Sequence, residues 1–89
     1  MPRQKVVIEN ELGLHARPAA KLAELAKRYK ARVYLRKGAR EAEATSILDV
    51  LALACSKGSV VEIVAEGEEA EEALAKIVEL LSRRNYEEA

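Results

Sequence analysis

Apolar residues along the chain follow two different spacings, and these spacings alternate. Residues 5–8 are a short β-rich run that predicts a strand, and residues 10–14, which include Gly13, predict a loop. From Ala16 onward the apolar positions recur at helical spacing and form a stripe along one face. That stripe consists of Pro18, Leu22, Leu25 and Tyr29. A proline suits the first turn of a helix, because the N–H that it lacks would have no partner there.

The rest of the chain continues the alternation. Residues 32–36 alternate apolar and polar side chains, a tight turn follows at residues 37–38, and residues 40–43 return as a short strand. Residues 46–54 predict a short apolar helix, and residues 60–65 predict a strand. The buried face of that strand is expected to carry Val61, Ile63 and Ala65. A last helix begins with acids in its first turn and has an apolar stripe of Ala70, Leu74, Ile77 and Leu81.

The predicted order is therefore β-α-β-β-α-β-α. Two of the strands are joined by a tight turn, so the sheet must be at least partly antiparallel. Three helices with one apolar stripe each can cover one face of a four-stranded sheet. The pattern predicts an α+β fold, a two-layer sandwich with one open sheet face. We expect residues 1–89 to form a single domain, since this length is within the range of one domain.

Composition excludes several classes of protein. Cys55 is the one cysteine and His15 the one histidine, so neither an intramolecular disulfide nor a Cys/His zinc site is predicted. No run of 18 apolar residues predicts insertion in a membrane, and the start of the chain does not resemble a signal peptide, so we expect a cytoplasmic protein. The glycine-rich phosphate-binding loops of nucleotide-binding proteins are absent.

The net charge of zero conceals an uneven distribution. Residues 1–40 contain eleven Lys and Arg against three acids, whereas residues 41–89 contain four against twelve. The two halves are expected to attract each other within one fold; alternatively, the basic half forms a surface for an acidic or phosphorylated partner. Nucleic acid is not the expected partner, because no recognition motif accompanies the basic residues and aromatic residues are few.

The residues best suited to chemistry lie close together near the start of the first predicted helix. His15 falls at or just before the first helical residue, where free backbone N–H groups form an anion site. Arg17 adds a planar cation that suits phosphate oxygens, and neutral imidazole is a good nucleophile. The arrangement is therefore suited to accepting a phosphoryl group. The alternative is that His15 only caps the helix and that Arg17 is only solvated; the residues by themselves leave both open.

The segment Gly13-Leu14-His15-Ala16-Arg17-Pro18-Ala19 resembles the active-site signature of HPr, the family of histidine-containing phosphocarriers of the bacterial phosphoenolpyruvate-dependent sugar phosphotransferase system. The similarity extends along the chain to Ser46, the Lys57-Gly58 turn and the strand at residues 60–65. It implies a βαββαβα open-faced sandwich with an antiparallel sheet. It also implies that His15 takes a phosphoryl group on Nδ1 from enzyme I and passes it to an enzyme IIA domain, while Arg17 supports the phosphoryl group. No cofactor or metal is implied.

Ser46 is expected to be the N-cap of the short helix, with Asp49 completing a loose capping box. In HPr proteins of many bacteria the matching serine is phosphorylated by a dedicated ATP-dependent kinase, the HPr serine kinase/phosphorylase, and the resemblance therefore implies regulation of carbon catabolism through Ser46. Asp49 departs from the neutral or basic residue that is common in the family. Ala54 replaces a common glycine and is expected to stiffen the helix. The resemblance implies a docking surface for enzyme I and enzyme IIA made of Ala16, Ala20, Ile47, Leu48 and Leu51.

Three alternatives are distinguished by experiment and not by the sequence. The first is a carrier in a nitrogen-related phosphotransfer chain without sugar transport. The second, from another class, is a small hydrolase that uses His15 or Arg17 on a phosphate or acyl phosphate. The third is a regulatory module that acts through Ser46 and has no need of His15. We expect a carrier and not a turnover enzyme, since the whole His15 motif is present.

Overall fold

The computed structural model describes residues 2–83, which form a four-stranded antiparallel sheet with three helices. The strands are paired in the order β1-β4-β2-β3. All three pairings are antiparallel, which confirms the predicted class and the open-faced arrangement. In chain order the elements are β1 (Arg3–Val7), α1 (Ala16–Ala26), β2 (Arg32–Lys37), β3 (Arg40–Glu43), α2 (Ile47–Ala52), β4 (Val60–Glu66) and α3 (Ala70–Leu81).

One apolar core lies between the sheet and the helices. The predicted inward face of β4 is confirmed, because Val61, Ile63 and Ala65 are fully buried. The predicted stripes of α1 and α3 also face the core, although Leu25 and Leu74 are only partly buried. The α1 stripe was predicted to reach Tyr29, but the helix ends at Ala26 and Tyr29 packs on the core from beyond its end. α1 packs against α2 and α3, and its buried positions are Pro18, Ala19, Leu22, Ala23 and Ala26. This packing fixes the direction of α1 and therefore the position of its N-terminus.

The opposite face of the sheet carries charged side chains in cross-strand rows. Arg32 contacts Glu43 at 2.6 Å and Glu66 at 3.4 Å, and its guanidinium lies 5.3 Å from the centre of the Tyr34 ring. Val64 alternates with the core residues of β4 and therefore points to this face, yet it is buried. Long side chains that lie along an apolar residue exclude water from it while their charged ends stay solvated.

The predicted bounds of α2 were wrong at its C-terminal end. The helix ends at Ala52 and not at residue 54, and Ala54 adopts a left-handed backbone conformation with φ of +54°. A residue with a Cβ is strained in that region, because the Cβ comes too close to the following carbonyl oxygen. The expectation that Ala54 stiffens the helix was therefore wrong. Ala54 lies after the helix and forms the turn that follows it. The residue after this turn, Cys55, accepts a hydrogen bond from Leu14 in the loop that carries His15.

Candidate functional site

The loop before His15 is shaped by Asn10. The Asn10 side-chain Oδ1 accepts a hydrogen bond from the Leu12 N–H at 2.9 Å, and its backbone oxygen accepts one from the Gly13 N–H at 2.9 Å. Gly13 follows with φ of +69°, a conformation that glycine adopts without strain. The loop therefore turns sharply two residues before His15 and directs the chain into α1.

Gly13 also lets the His15 loop pack against the chain segment that follows α2. A Cβ at this position would lie 2.5 Å from the Cys55 oxygen and 2.8 Å from the Ser56 Cα, which is far inside van der Waals contact. Beside this contact, the Leu14 N–H donates to the Cys55 oxygen at 2.8 Å. Cys55 is buried, and burial raises the pKa of its thiol. The position of His15 thus depends on where α2 ends.

Three more contacts join the same two loops. The Lys57 Nζ donates to Glu11 Oε1 at 2.5 Å, and this hydrogen bond and charge hold the pKa of the Glu11 carboxyl below its usual value. The Ile8 N–H donates to the Ser59 oxygen at 2.9 Å, and the Gly58 N–H donates to the Ile8 oxygen at 2.7 Å. The loop is therefore held along its length by the segment between α2 and β4.

His15 is the N-cap of α1 and has an extended backbone conformation. Its oxygen accepts the first helical hydrogen bond, from the Ala19 N–H at 3.0 Å, but its side chain makes no capping hydrogen bond. The imidazole is therefore not engaged in capping the helix, which was the alternative to a chemical role. The side chain is partly exposed, and the first turn of α1 contains no acid that would oppose an anion.

Arg17 lies in the first turn of α1, two residues after His15, and is exposed. Pro18, the next residue, is buried and anchors this turn to the core. Backbone N–H groups of a first helical turn point out of the helix, and the positive end of the helix dipole lies there. The site thus combines a nucleophile, an arginine and a helix N-terminus at the surface, a combination suited to a phosphoryl group.

The predicted capping box at α2 is wrong in its side chains, although Ser46 is the N-cap as expected. Ser46 makes no side-chain capping hydrogen bond. Its backbone N–H donates to the Glu43 oxygen at 3.0 Å, so that donor is already occupied and Asp49 does not need to reach back to it. Asp49 is exposed in the first turn. The Ser46 hydroxyl is therefore not required to start this helix.

The short helix α2 packs against α1 and exposes part of its apolar surface. Val50 and Leu53 face the core, whereas Leu48 is 79% exposed and Ile47 is 38% exposed. Leu51 is partly buried, and Ala16 and Ala20 of α1 are exposed. Leu12, which no sequence pattern predicted as part of this surface, is 76% exposed in the His15 loop. A leucine inside a loop bounded by Asn10 and Gly13 was the signal that could have identified it.

Comparison with known proteins decides the family. The family model described as "PTS HPr component phosphorylation site" matches residues 2–83. The chain belongs to the HPr family. It is 46% identical over 81 residues to the phosphocarrier protein NPr of Escherichia coli K12, covering 90% of each chain. It is 40% identical over 85 residues to the phosphocarrier protein HPr of Pseudomonas aeruginosa, covering 94% of each.

The solved structures agree with the HPr-family assignment. The chain is similar to the crystal structure of HPr-C-His from Thermoanaerobacter tengcongensis, with a TM-score of 0.91 and 34% identity, over 100% of this chain and 99% of that one. HPr-family proteins are phosphoryl carriers and not turnover enzymes. Within residues 2–83, no helix is long and apolar enough to cross a membrane, and no group of three or more His, Cys, Asp or Glu is placed to hold a metal.

Proposed function

We propose that this protein carries a phosphoryl group on His15, which it accepts from phosphorylated enzyme I and passes to an enzyme IIA domain during sugar uptake. The observation that carries the proposal is the position and exposure of the His15 side chain at the start of α1. Its imidazole is partly exposed and makes no capping hydrogen bond, while its backbone begins the helix. A side chain placed there is available to a partner without any change in the fold.

The chemical step is a transfer between two side chains. The lone pair of the His15 Nδ1 forms a bond to phosphorus, and the bond between phosphorus and the donor's phosphorylated side chain breaks. The electron pair of that bond returns to the donor, and the His15 Nε2 keeps its proton. Transfer to enzyme IIA reverses these changes, so the carrier is regenerated and no water is consumed.

Arg17 and the N-terminus of α1 are proposed to hold the phosphoryl oxygens during this step. Arg17→Ala should then slow transfer at saturating enzyme I by roughly 10- to 100-fold, because hydrogen bonds to charged groups contribute about 1.5–3 kcal/mol. Arg28→Ala is the matched control, since Arg28 is also an exposed arginine but lies beyond the C-terminal end of α1 and pairs with Glu24. Equal rates in the two variants would contradict the role of Arg17.

The docking surface for both partners is proposed to include the exposed part of α2. An exposed apolar patch is typical of proteins that bind several partners in turn. The proposed contact residues are Ala16, Ala20, Ile47, Leu48 and Leu51. Ser46 lies at the start of this surface, so its phosphorylation by the HPr serine kinase/phosphorylase would add charge where a partner must dock. We further propose that the protein acts in the cytoplasm, where these partners act.

The nitrogen-related branch of the family is a second candidate, and sequence identity favours it. The chain is 46% identical to NPr of Escherichia coli but 40% identical to HPr of Pseudomonas aeruginosa. The test is to offer the phosphorylated protein to purified enzyme IIA domains of the sugar branch and of the nitrogen-related branch. The branch whose enzyme IIA takes the phosphoryl group faster at equal concentration is the one the protein serves.

A time course separates a carrier from a hydrolase. The protein is mixed with catalytic enzyme I and excess labelled phosphoenolpyruvate, and both bound and released phosphate are followed. A carrier takes up one phosphoryl group per chain and then stops. Continuous release of phosphate in proportion to this protein, and not to enzyme I, would contradict the proposal and support the hydrolase.

A further inference from the structure

The ammonium group of Lys37 bonds to the chain at the end of α2. Lys37 is the last residue of β2, and its side chain lies on the same face of the strand as Val33 and Leu35, the helix-covered face of the sheet. Its Nζ donates to the Ala54 oxygen at 2.7 Å and to the Leu53 oxygen at 3.2 Å. The residue therefore links the β2–β3 hairpin to the turn that ends α2.

The turn at Ala54 has a particular need for such a contact. Carbonyls at the end of a helix have no partner inside it, and a glycine in the left-handed conformation commonly closes this end. Here the left-handed residue is Ala54, which adopts that conformation only against its own steric preference. A lysine cation near a helix C-terminus stabilises the last carbonyls and the negative end of the dipole.

The same turn fixes the acceptor that holds the His15 loop. The Ala54 oxygen also accepts the Ser56 N–H at 3.0 Å, so the peptide groups on both sides of Cys55 are constrained. The Cys55 oxygen accepts the Leu14 N–H at 2.8 Å, and Leu14 directly precedes His15. A chain of hydrogen bonds and peptide groups thus runs from the Lys37 ammonium through the turn to the residue next to His15.

We propose that Lys37 is a positioning residue for His15, acting through the turn at Ala54 and the Leu14–Cys55 hydrogen bond. Its cation selects the left-handed backbone at Ala54 and thereby directs the Cys55 carbonyl toward the His15 loop. Lys37 does not contact the phosphoryl group and is not a docking residue. The structural part of this proposal stands without a function for His15; the kinetic part rests on the proposed phosphocarrier function.

The test compares Lys37→Met with Lys37→Arg and with Lys5→Met. Methionine keeps the length of the side chain and removes the charge and the donors, while arginine restores both. Lys5 is an exposed lysine on β1 and is the matched control. Two quantities are measured in each variant: amide hydrogen exchange at Leu14 relative to amides of β4, and the phosphotransfer rate from enzyme I with kcat and KM separated.

In Lys37→Met, we expect the Leu14 amide to exchange about tenfold faster than in the wild type, relative to amides of β4, because a charged hydrogen bond behind its acceptor is lost. We expect kcat for transfer to fall severalfold with KM little changed, since the docking surface is intact. Lys37→Arg should restore both quantities, and Lys5→Met should leave both at the wild-type value.

Wild-type exchange at Leu14 in Lys37→Met would overturn the proposal, whatever His15 does. Increased exchange with an unchanged kcat would overturn the positioning role and leave a stabilising contact only. If wild-type protein accepts no phosphoryl group, the proposed function fails while the exchange experiment still tests the link. Should Lys37→Met not fold, Lys37→Gln, which keeps a neutral donor, is expected to show the same changes at smaller amplitude, and wild-type values in it would overturn the proposal.

Discussion

The Leu14 N–H donates to the Cys55 oxygen at 2.8 Å, and this contact joins the loop before His15 to the chain that follows α2. Leu14 and Cys55 are both buried, so water does not compete for the bond. A buried backbone hydrogen bond therefore helps to hold together the two parts of the protein proposed to meet its partners, the start of α1 and the exposed face of α2.

Replacing Gly13 by alanine should loosen this junction. The new Cβ would meet the Cys55 oxygen at 2.5 Å, and φ at this position is +69°. We expect the free energy of unfolding to fall by about 2–4 kcal/mol, because a backbone clash adds to the strain of a left-handed alanine. Thermal unfolding would measure the change.

Gly38→Ala is the control for this substitution. Its φ is +61°, but a Cβ there would meet nothing within 4 Å. Gly38→Ala should therefore lower the free energy of unfolding only by the strain of a left-handed alanine, about 1–2 kcal/mol. Equal losses in the two variants would show that the close approach of Gly13 to Cys55 is not important for stability.

Replacing Ala54 by glycine should stabilise the protein. Glycine adopts the left-handed backbone of this turn without strain, and the gain of about 1–2 kcal/mol is partly offset by the greater freedom of glycine in the unfolded chain. A net increase of roughly 0.5–1 kcal/mol would raise Tm by several degrees in a domain of this size. Ala52→Gly, in the exposed end of α2, should instead lose about 0.5–1 kcal/mol.

The helix α2 shows most clearly what can and cannot be predicted from the sequence. Helical and alternating spacings located all seven elements, because burial of one face is a local property of the pattern. The end of α2 was missed because alanine is a good helix former, and the hydrogen bond that the Ala54 oxygen accepts comes from Lys37, 17 residues away in the chain. The predicted return bond from Asp49 was also wrong, since the Glu43 carbonyl already occupies the Ser46 N–H.

The position of His15 at the start of α1 was predicted correctly, but the contacts that support it were not. Gly13 and Cys55 approach each other across 42 positions of sequence, and no spacing rule pairs them. The order β1-β4-β2-β3 likewise depends on pairing between distant segments. Local patterns identify a strand but do not determine which other strand it pairs with.

The ion pair between Glu11 and Lys57 predicts a dependence of stability on acid. The pKa of the Glu11 carboxyl is held below its usual value of 4.5 in the folded protein. The ion pair therefore stabilises the fold fully above about pH 4.5, and this stabilisation is lost as the pH falls through the lower pKa that Glu11 has in the folded protein. Titration of the Glu11 carboxyl by NMR should show this lowered pKa, and Lys57→Met should return it to the usual value. An unchanged titration in Lys57→Met would contradict the pairing, and Lys5→Met is the control.

Ser46 substitutions separate a structural role from a regulatory one. Because the Ser46 side chain makes no capping hydrogen bond, Ser46→Ala should change the free energy of unfolding by less than about 0.5 kcal/mol. Ser46→Asp should also leave Tm nearly unchanged but should weaken docking to enzyme I, since a charge beside Ile47 and Leu48 must be desolvated on binding. A wild-type KM for enzyme I in Ser46→Asp would show that Ser46 has no such role here.

The most direct test of the phosphocarrier function is to locate the phosphoryl group on the protein. Wild type and His15→Ala are incubated with enzyme I and phosphoenolpyruvate, and the modified atom is identified by ³¹P and ¹⁵N NMR together with mass spectrometry. We predict one phosphoryl group on the His15 Nδ1 of the wild type and none on His15→Ala, whose Tm should stay close to that of the wild type because the side chain makes no capping bond. Phosphorylation of a correctly folded His15→Ala by enzyme I, at any residue and at the wild-type rate, would contradict the assignment of His15.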